Sequence, residues 1–307
     1  MSGAALQTPV VLIIFQRLDA TAQVLARIRE ARPRVLLVAA DGPRPHVPGE
    51  AARCAAVRQL LERVDWDCEV VREYSEENLG CDQRVITGLQ WAFEQVEEAI
   101  ILEDDALPHP TFFPFCQELL ERYRHDTRVM AISGTSFVAG QLREKPKYSY
   151  YFGPGGGLWG WATWRRAFNL YDHEMKLWPE IRDDEWLAEI FDRPEVHRYV
   201  FRAFQEAASG QIGAWSYRWA FACIVQSGLG IYPFVNLVSN LGYGADATRT
   251  FNANDLLANL PLSPVEFPLR HPPFVIRSKK MENLAFQSLM QEAPGKPRGF
   301  RPWRRGG

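Results

Sequence analysis

The stretch that decides the fold is residues 99–113, AIILEDDALPHPTFF, where an apolar run leads directly into three adjacent acids. The run 99–102 predicts the end of a buried strand. Glu103, Asp104 and Asp105 follow it, and neighbouring carboxylates repel one another and are costly to bury. Such a triplet is tolerated most easily where a cation or several hydrogen-bond donors neutralise it. The alternative is a solvated acidic turn.

The sequence around this stretch alternates predicted strands with predicted helices. The strands are PVVLIIFQ, RVLLVAADG, DCEVVREY, EAIILEDD and RVMAISG, and the segments between them have the apolar spacing of helices. Continuous apolar strands that alternate with helices predict an α/β fold, in which a mostly parallel sheet is flanked by helices.

Polar residues follow each of the first four predicted strands. They are Gln16 and Arg17 after the first, Asp41 after the second, Asn78 after the third, and the acid triplet after the fourth. In open α/β sheets, ligands bind outside the carboxyl ends of the strands. We therefore expect these groups to form one binding edge, which favours a functional triplet over a solvated turn.

Composition excludes several classes of protein. A chain of 307 residues with 47% hydrophobic and 23% charged residues can bury a large core, and its net charge of -2 argues against a nucleic-acid partner. The cysteines form no CxxC pair and the histidines no cluster, so zinc is not expected. The longest early apolar run, PVVLIIF, is too short to span a membrane. A cytoplasmic protein is expected.

Residues 293–307, APGKPRGFRPWRRGG, are basic, contain no acids and are rich in Pro and Gly. Composition predicts a disordered end. The alternative is a patch that touches anionic lipid headgroups at the inner membrane face, with Phe300 and Trp303 inserted.

Carboxylates at the end of a strand suit a divalent cation that bridges the diphosphate of a sugar nucleotide. Mg2+ and Mn2+ prefer oxygen ligands and keep waters and phosphate oxygens, so one or two carboxylates suffice. Such a metal stabilises the charge that develops on a departing diphosphate. The chain has no GxGxxG and no GxxxxGK[ST], so dehydrogenases and P-loop NTPases are poor fits.

The second half opens with YFGPGGGLWGWATW, residues 151–164. Its glycines let the backbone approach a ligand closely. We expect a helix to start near residue 158 with Trp161 and Trp164 on its core side, and Trp159 or Trp161 to face a sugar ring. Further helices are predicted at 180–192, 195–209 and 215–227, and no element is assigned after about residue 250.

ILEDDALPHPTFFPF resembles the metal-binding segment of the GT-A glycosyltransferases related to N-acetylglucosaminyltransferase I, and YFGPGGGLWGWATW resembles that family's Pro-Gly-Leu-Gly-Trp segment. NLGCDQRV and WSYRWAFACIVQSGLG are similar to segments of bacterial sugar-nucleotide transferases. The resemblance covers roughly residues 8–250. It implies a GT-A fold, a nucleoside-diphosphate sugar donor that is most often UDP-linked, a hydroxyl acceptor, and Mn2+ or Mg2+.

The resemblance also implies roles for individual residues. Asp105 is the metal ligand, Glu103 and Asp104 lie by the nucleoside, and Asp41 reads the base. The other nucleotide-binding candidates are Phe15, Gln16, Arg17, Asn78, Gly80 and Arg84, and the candidates beside the donor sugar and acceptor are Gly156, Gly157, Trp159, Trp161 and Trp215. Arg249 departs from the family, which often has His there, and is a candidate because a guanidinium can bind a diphosphate. Residues 1–135 would bind the nucleotide sugar, 136–260 would form the acceptor half of the same domain, and 261–307 a C-terminal extension.

The segment WSYRW, residues 215–219, departs from the family pattern, because Ser216 and Tyr217 stand where acids are expected. Neither is a credible general base near neutral pH. Three readings follow. Asp246 or the cluster containing Asp184 supplies the base, the mechanism retains configuration and needs none, or the protein binds a sugar nucleotide without transferring it. A nucleotidylyltransferase fits less well, since FQRLDAT lacks the expected Gly-rich loop.

Overall fold

The computed structural model describes residues 5–156, 159–213, 215–242 and 260–290. Its strands, in chain order, are β1 (Val10–Ile14), β2 (Val35–Ala40), β3 (Glu69–Tyr74), β4 (Glu98–Glu103), β5 (Ala106–Pro108), β6 (Val129–Ser133), β7 (Tyr150–Pro154), β8 (Trp161–Trp164), β9 (Leu229–Pro233) and β10 (Val238–Asn240). Gly157, Asp246, Arg249 and the basic tail 293–307 lie outside the described residues.

The helices lie between the strands and after them. They are α1 (Leu18–Ala31), α2 (Glu50–Leu60), α3 (Gly80–Gln95), α4 (Phe112–Tyr123), α5 (Arg165–Phe168), α6 (Trp178–Asp183), α7 (Trp186–Ile190), α8 (Pro194–Ala208), α9 (Trp215–Val225) and α10 (Lys279–Met290). Among the described helices, none is both long and apolar enough to cross a membrane.

Eight of the described strands form one sheet in the order β3-β2-β1-β4-β8-β6-β9-β7. β3, β2, β1 and β4 run parallel to one another, β8 is antiparallel to β4 and β6, and β6 runs parallel to β9. The predicted α/β fold is confirmed. The carboxyl ends of β1 to β4 meet at one edge, as the sequence predicted.

Helices cover both faces of the sheet. Along β1, Val10, Leu12 and Ile14 join one buried cluster and Val11 and Ile13 the other, because successive side chains of a strand point to opposite faces. The first cluster packs on α1, α2 and α4, and the second on α3, α5 and α9. A strand buried on both faces needs an unbroken apolar sequence, which explains VVLII.

The prediction of a helix containing Trp161 and Trp164 is wrong. These residues begin and end β8, which is followed by the short helix α5. Both side chains are 2% exposed, yet they lie in different clusters. A spacing of three places two residues on one side of a helix but on opposite faces of a strand. Each tryptophan therefore fills the core on its own face of the sheet.

The helices α6 to α10 form a separate apolar cluster around Trp178, Phe204 and Phe221, against which Phe286 of α10 also packs. The predicted helices 195–209 and 215–227 correspond to α8 and α9. The predicted helix 180–192 is instead two short helices, α6 and α7, separated at Glu185, whose φ is +56°. α10 was not predicted. The division of the chain at residues 135 and 260 stays a prediction, since one sheet contains strands from both sides of residue 135.

Candidate functional site

The acid triplet closes β4. Glu103 is the last residue of that strand and pairs in register with Ile13 of β1, while Asp104 and Asp105 occupy the turn into β5. The side chain of Asp104 is 6% exposed and that of Asp105 is 15% exposed. A solvated acidic turn is therefore excluded, and the two aspartates need neutralising partners.

Arg17 is the main neutralising partner in the structure. Its Nη1 lies 2.8 Å from Oδ1 of Asp104 and 3.0 Å from Oδ2 of Asp105. The backbone N–H of Phe15 also donates to Asp104 Oδ2, at 3.1 Å. The residues that follow β1 thus hold the acids that follow β4. One guanidinium faces two buried carboxylates, so negative charge remains in excess.

The pKa shifts show the same excess. Burial raises the pKa of Asp104 above its ordinary value although Arg17 opposes this. Burial, with the neighbouring charge of Asp104, raises the pKa of Asp105 to about 6, and Arg17 offsets only part of that. Burial also lowers the pKa of Arg17, but the charges of Asp104 and Asp105 raise it to a net value above the ordinary one. A second cation would stabilise the pair.

The segment 240–242 forms another wall of the site. The N–H of Leu241 donates to the backbone oxygen of Asp105 at 2.8 Å, and the N–H of Gly242 donates to Oδ1 of Asn240 at 2.6 Å. A Cβ on Gly242 would lie 2.1 Å from Oδ2 of Asp105, so any other residue here would force the carboxylate to move. Sequence reasoning missed Asn240 and Gly242. These two residues reach the site because β10 pairs with β5, and sequence periodicity does not reveal that pairing.

A divalent cation fits this donor set only if the cation brings other ligands with it. The described residues contain no cluster of three or more His, Cys, Asp or Glu that could hold a metal. Asp104 and Asp105 can supply one or two oxygens, and Mg2+ or Mn2+ takes its other ligands from water and phosphate. The site therefore suits a cation that arrives with a diphosphate better than a permanently bound ion.

Asp41, at the end of β2, has its own set of donors. Its Oδ1 accepts from the N–H of Gly42 at 3.0 Å and of Leu79 at 2.8 Å. Its Oδ2 accepts from Asn78 Nδ2 and the N–H of Gly80, each at 3.0 Å. The residue is 4% exposed. Asp41 thus holds the loop that leads into α3 and satisfies N–H groups at the start of that helix.

Asp41→Ala is expected to lower the free energy of unfolding by about 1–3 kcal/mol, because it leaves several polar groups without their acceptor. Urea denaturation measures the effect. The control is Asp67→Ala, an exposed acid in the connection to β3, which we expect to stay within about 0.5 kcal/mol of the unaltered protein. A loss as small for Asp41→Ala would contradict the structural role.

Two further arginines lie at this edge and were missed by the sequence reasoning. Nε of Arg53 donates to Oε1 of Gln16 at 2.9 Å, and the guanidinium carbon of Arg44 lies 5.8 Å from the ring centroid of Phe15. Arg44 is held in turn by Glu50, whose side chain is fully buried. The available signal was the position of Arg44 just after the second strand and of Arg53 early in the helix that follows.

Arg84 does not reach the ligand-binding edge with a free guanidinium. It is 2% exposed, its Nη2 donates to the backbone oxygen of Glu73 at 3.0 Å, and it forms an ion pair with the Glu73 carboxylate. Burial lowers its pKa. These contacts of Arg84 with Glu73 therefore join α3 to β3.

The glycine- and tryptophan-rich block separates into core and edge residues. Trp161 and Trp215 are 2% and 4% exposed and stack with their ring centroids 5.8 Å apart. Trp159 is only partly buried, its ring lies 6.3 Å from that of Phe137, and its backbone oxygen accepts from Thr135 Oγ1 at 2.9 Å. Of the three predicted to border the sugar, Trp159 alone retains an accessible surface.

Gly156 is held from beneath. Its φ is +125°, in the left-handed region, and its backbone oxygen accepts from the hydroxyl of Tyr232 at 2.7 Å. The same hydroxyl lies 2.6 Å from the backbone oxygen of Pro154. Tyr232 therefore fixes the backbone that leads towards Trp159.

The described candidates for a general base lie on α9 and just after α6, far from the acid triplet in sequence. Ser216 and Tyr217 lie in the first turn of α9, and the hydroxyl of Tyr217 is 3.3 Å from that of Tyr199. Asp184 is exposed directly after α6. Next to Tyr217, Arg218 is buried and its Nη1 lies 2.8 Å from Oδ2 of Asp82 in α3. This ion pair, absent from the predictions, joins α9 to the start of α3.

Comparison with known proteins gives only distant structural likenesses. No family model and no curated protein matches the chain. A mannosyltransferase from Pyrobaculum calidifontis, solved with GDP-mannose and Mn2+, is 15% identical over 53% of this chain, with a TM-score of 0.35, and the match spans about half of its own length, 46%. A UDP-glucose pyrophosphorylase is similar over 53% of this chain, at 11% identity, both with UDP-glucose (TM-score 0.29, 78% of that chain) and without it (0.30, 79%).

Proposed function

We propose that the protein is a metal-dependent glycosyltransferase of the GT-A type, which moves a sugar from a nucleoside-diphosphate sugar to a hydroxyl acceptor. The observation that carries this proposal is the buried pair Asp104 and Asp105 at the end of β4, which Arg17 neutralises only in part. Such a pair suits a cation that a diphosphate brings with it. A UDP-linked donor is the first choice, because the family that the sequence resembles uses it most often.

In this proposal Asp105 is the metal ligand, and Arg17, which also binds Asp104, holds its carboxylate in place. When bound, Mn2+ or Mg2+ would offset the negative charge of the departing diphosphate. Glu103 lies at the nucleoside side, and Trp159 offers its ring to a sugar. Gly156 and Gly157 would let the backbone pass close to that sugar.

The acceptor side leaves two proposals open. In the first, the protein transfers sugar, and Asp246 supplies the base or the reaction retains configuration, with Arg249 at the diphosphate. In the second, it is a catalytically impaired sugar-nucleotide-binding protein. The second is favoured by Ser216 and Tyr217, which put no carboxylate at the start of α9. The acceptor is a glycan, a metabolite or a protein, the location is cytoplasmic, and the basic tail touches membrane surfaces weakly.

The donor class is tested by calorimetry with UDP-, GDP-, dTDP- and CMP-sugars, with and without Mn2+. We expect one nucleotide sugar to bind at least tenfold more tightly with Mn2+ than without it, because the metal links the diphosphate to Asp105. Release of free sugar from that donor, or transfer to an added glycan, then separates the enzyme from the impaired binder. If no nucleotide sugar binds under either condition, the proposed function is wrong.

A further inference from the structure

The carboxylate of Asp41 has no hydrogen-bonding capacity left for a nucleobase. A carboxylate has about four lone-pair sites. Four N–H donors occupy them, from Gly42, Asn78, Leu79 and Gly80, at distances between 2.8 and 3.0 Å. An acid in this state cannot also accept a base N–H without losing contacts that hold the loop before α3. Another group must read the base of any nucleotide bound here.

Gln16 is placed to do so. It follows Phe15, whose N–H binds Asp104, and precedes Arg17, which binds Asp104 and Asp105. Gln16 itself turns to the β2 side and accepts from Arg53 of α2. A diphosphate held at the acids therefore leaves the crevice between β1 and β2 for the nucleoside, and Gln16 lies between them.

Arg53 also decides which end of the Gln16 amide is presented. A guanidinium only donates, so the atom 2.9 Å from Arg53 Nε must be the amide oxygen. Within the described residues, the Nε2 group of Gln16 has no hydrogen-bond partner, and the side chain is partly exposed. The amide therefore offers N–H donors to a ligand. Arg44 lies beside Phe15, but its guanidinium is paired with Glu50 and adds little net charge.

We propose that Gln16, oriented by Arg53, reads the nucleobase and selects bases with a carbonyl oxygen at C4 of a pyrimidine or C6 of a purine, namely uracil, thymine or guanine, over adenine and cytosine. At the corresponding positions adenine and cytosine carry an amino donor, which opposes the Gln16 N–H groups. This inference rests on the proposed function. It assigns the specificity of that site to a residue pair rather than to Asp41.

The test is calorimetry with Mn2+ and each of UDP, dTDP, GDP, CDP and ADP. For the unaltered protein, we expect the tightest nucleotide to be UDP, dTDP or GDP, with ADP and CDP about tenfold weaker or more, since a hydrogen bond made or lost is worth about this factor. Gln16→Glu keeps the shape and the contact to Arg53 but presents an acceptor. It is expected to weaken the tightest nucleotide about tenfold and to leave ADP and CDP unchanged or tighter.

Two further variants separate base reading from general effects. Arg53→Met removes the donor that orients the Gln16 amide, so we expect a smaller preference for UDP, dTDP or GDP over ADP and CDP. Thermal melting checks that this variant is still folded. Gln23→Glu puts the same charge on the exposed face of α1 and is expected to leave the preference unchanged. If ADP or CDP binds the unaltered protein as tightly as the carbonyl nucleotides, or if Gln16→Glu weakens all five equally, the inference fails while the proposed function stands. If no nucleotide binds, both fail.

Discussion

Asp105→Asn is expected to abolish Mn2+-dependent nucleotide binding, with a loss of affinity on the order of 100-fold, because the metal's contribution to diphosphate binding is worth several kcal/mol. The same change is expected to leave the free energy of unfolding equal or higher near neutral pH without metal. Burial and Asp104 raise the pKa of Asp105 to about 6, so its charged form is disfavoured in the fold. Asparagine removes that charge and keeps an oxygen for Arg17.

This opposite response of binding and stability distinguishes a functional acid from a structural one. If the Asp105 carboxylate stabilised the fold, neutralising it would lower the free energy of unfolding of the protein. Isothermal calorimetry with UDP and Mn2+, beside urea denaturation of the metal-free protein, measures both quantities. The control is Asp19→Asn, an exposed acid in the first turn of α1, which we expect to leave metal-dependent binding unchanged. If Asp105→Asn bound UDP with Mn2+ as tightly as the unaltered protein does, Asp105 would not be the metal ligand.

The candidate binding edge could be predicted from sequence because each of its parts follows from the residues of a single strand. An unbroken apolar run such as VVLII predicts a strand buried on both faces, and parallel strands bring their carboxyl ends to one edge. That was enough to place Phe15, Arg17 and the acid triplet near one another, and in the structure Arg17 contacts both aspartates, a contact that was not predicted.

The partners of individual side chains could not be predicted, because loops distant in sequence supply them. Three of the four donors to the Asp41 carboxylate come from residues 37 to 39 positions later in the chain. Arg84 forms its hydrogen bond with Glu73. Gly242, which follows β10 late in the chain, lies beside the carboxylate of Asp105. α10 was missed for a related reason, since its apolar side gains meaning only when Phe286 packs on Phe191 and Tyr199.

Trp161→Ala is expected to lower the free energy of unfolding by about 3–5 kcal/mol, the usual cost of removing a buried tryptophan. Its ring centroid lies 5.8 Å from that of Trp215 and 5.5 Å from that of Trp219, between β8 and α9. The cavity left by alanine would separate the sheet from that helix. Chemical denaturation measures the loss, and a fall in melting temperature of roughly 5–10 °C should accompany it.

Trp159→Ala provides the comparison, since sequence reasoning assigned both tryptophans to the sugar site. Trp159 is only partly buried and packs on Phe137 at the edge, so its loss should cost less stability and more affinity for a sugar nucleotide relative to the bare nucleoside diphosphate. If the Trp161→Ala protein melted at the temperature of the unaltered protein and lost only affinity for the sugar, Trp161 would be a binding residue and not a core residue. The expected pattern instead divides the block, with Trp161 holding the sheet against α9 and Trp159 left to meet the ligand.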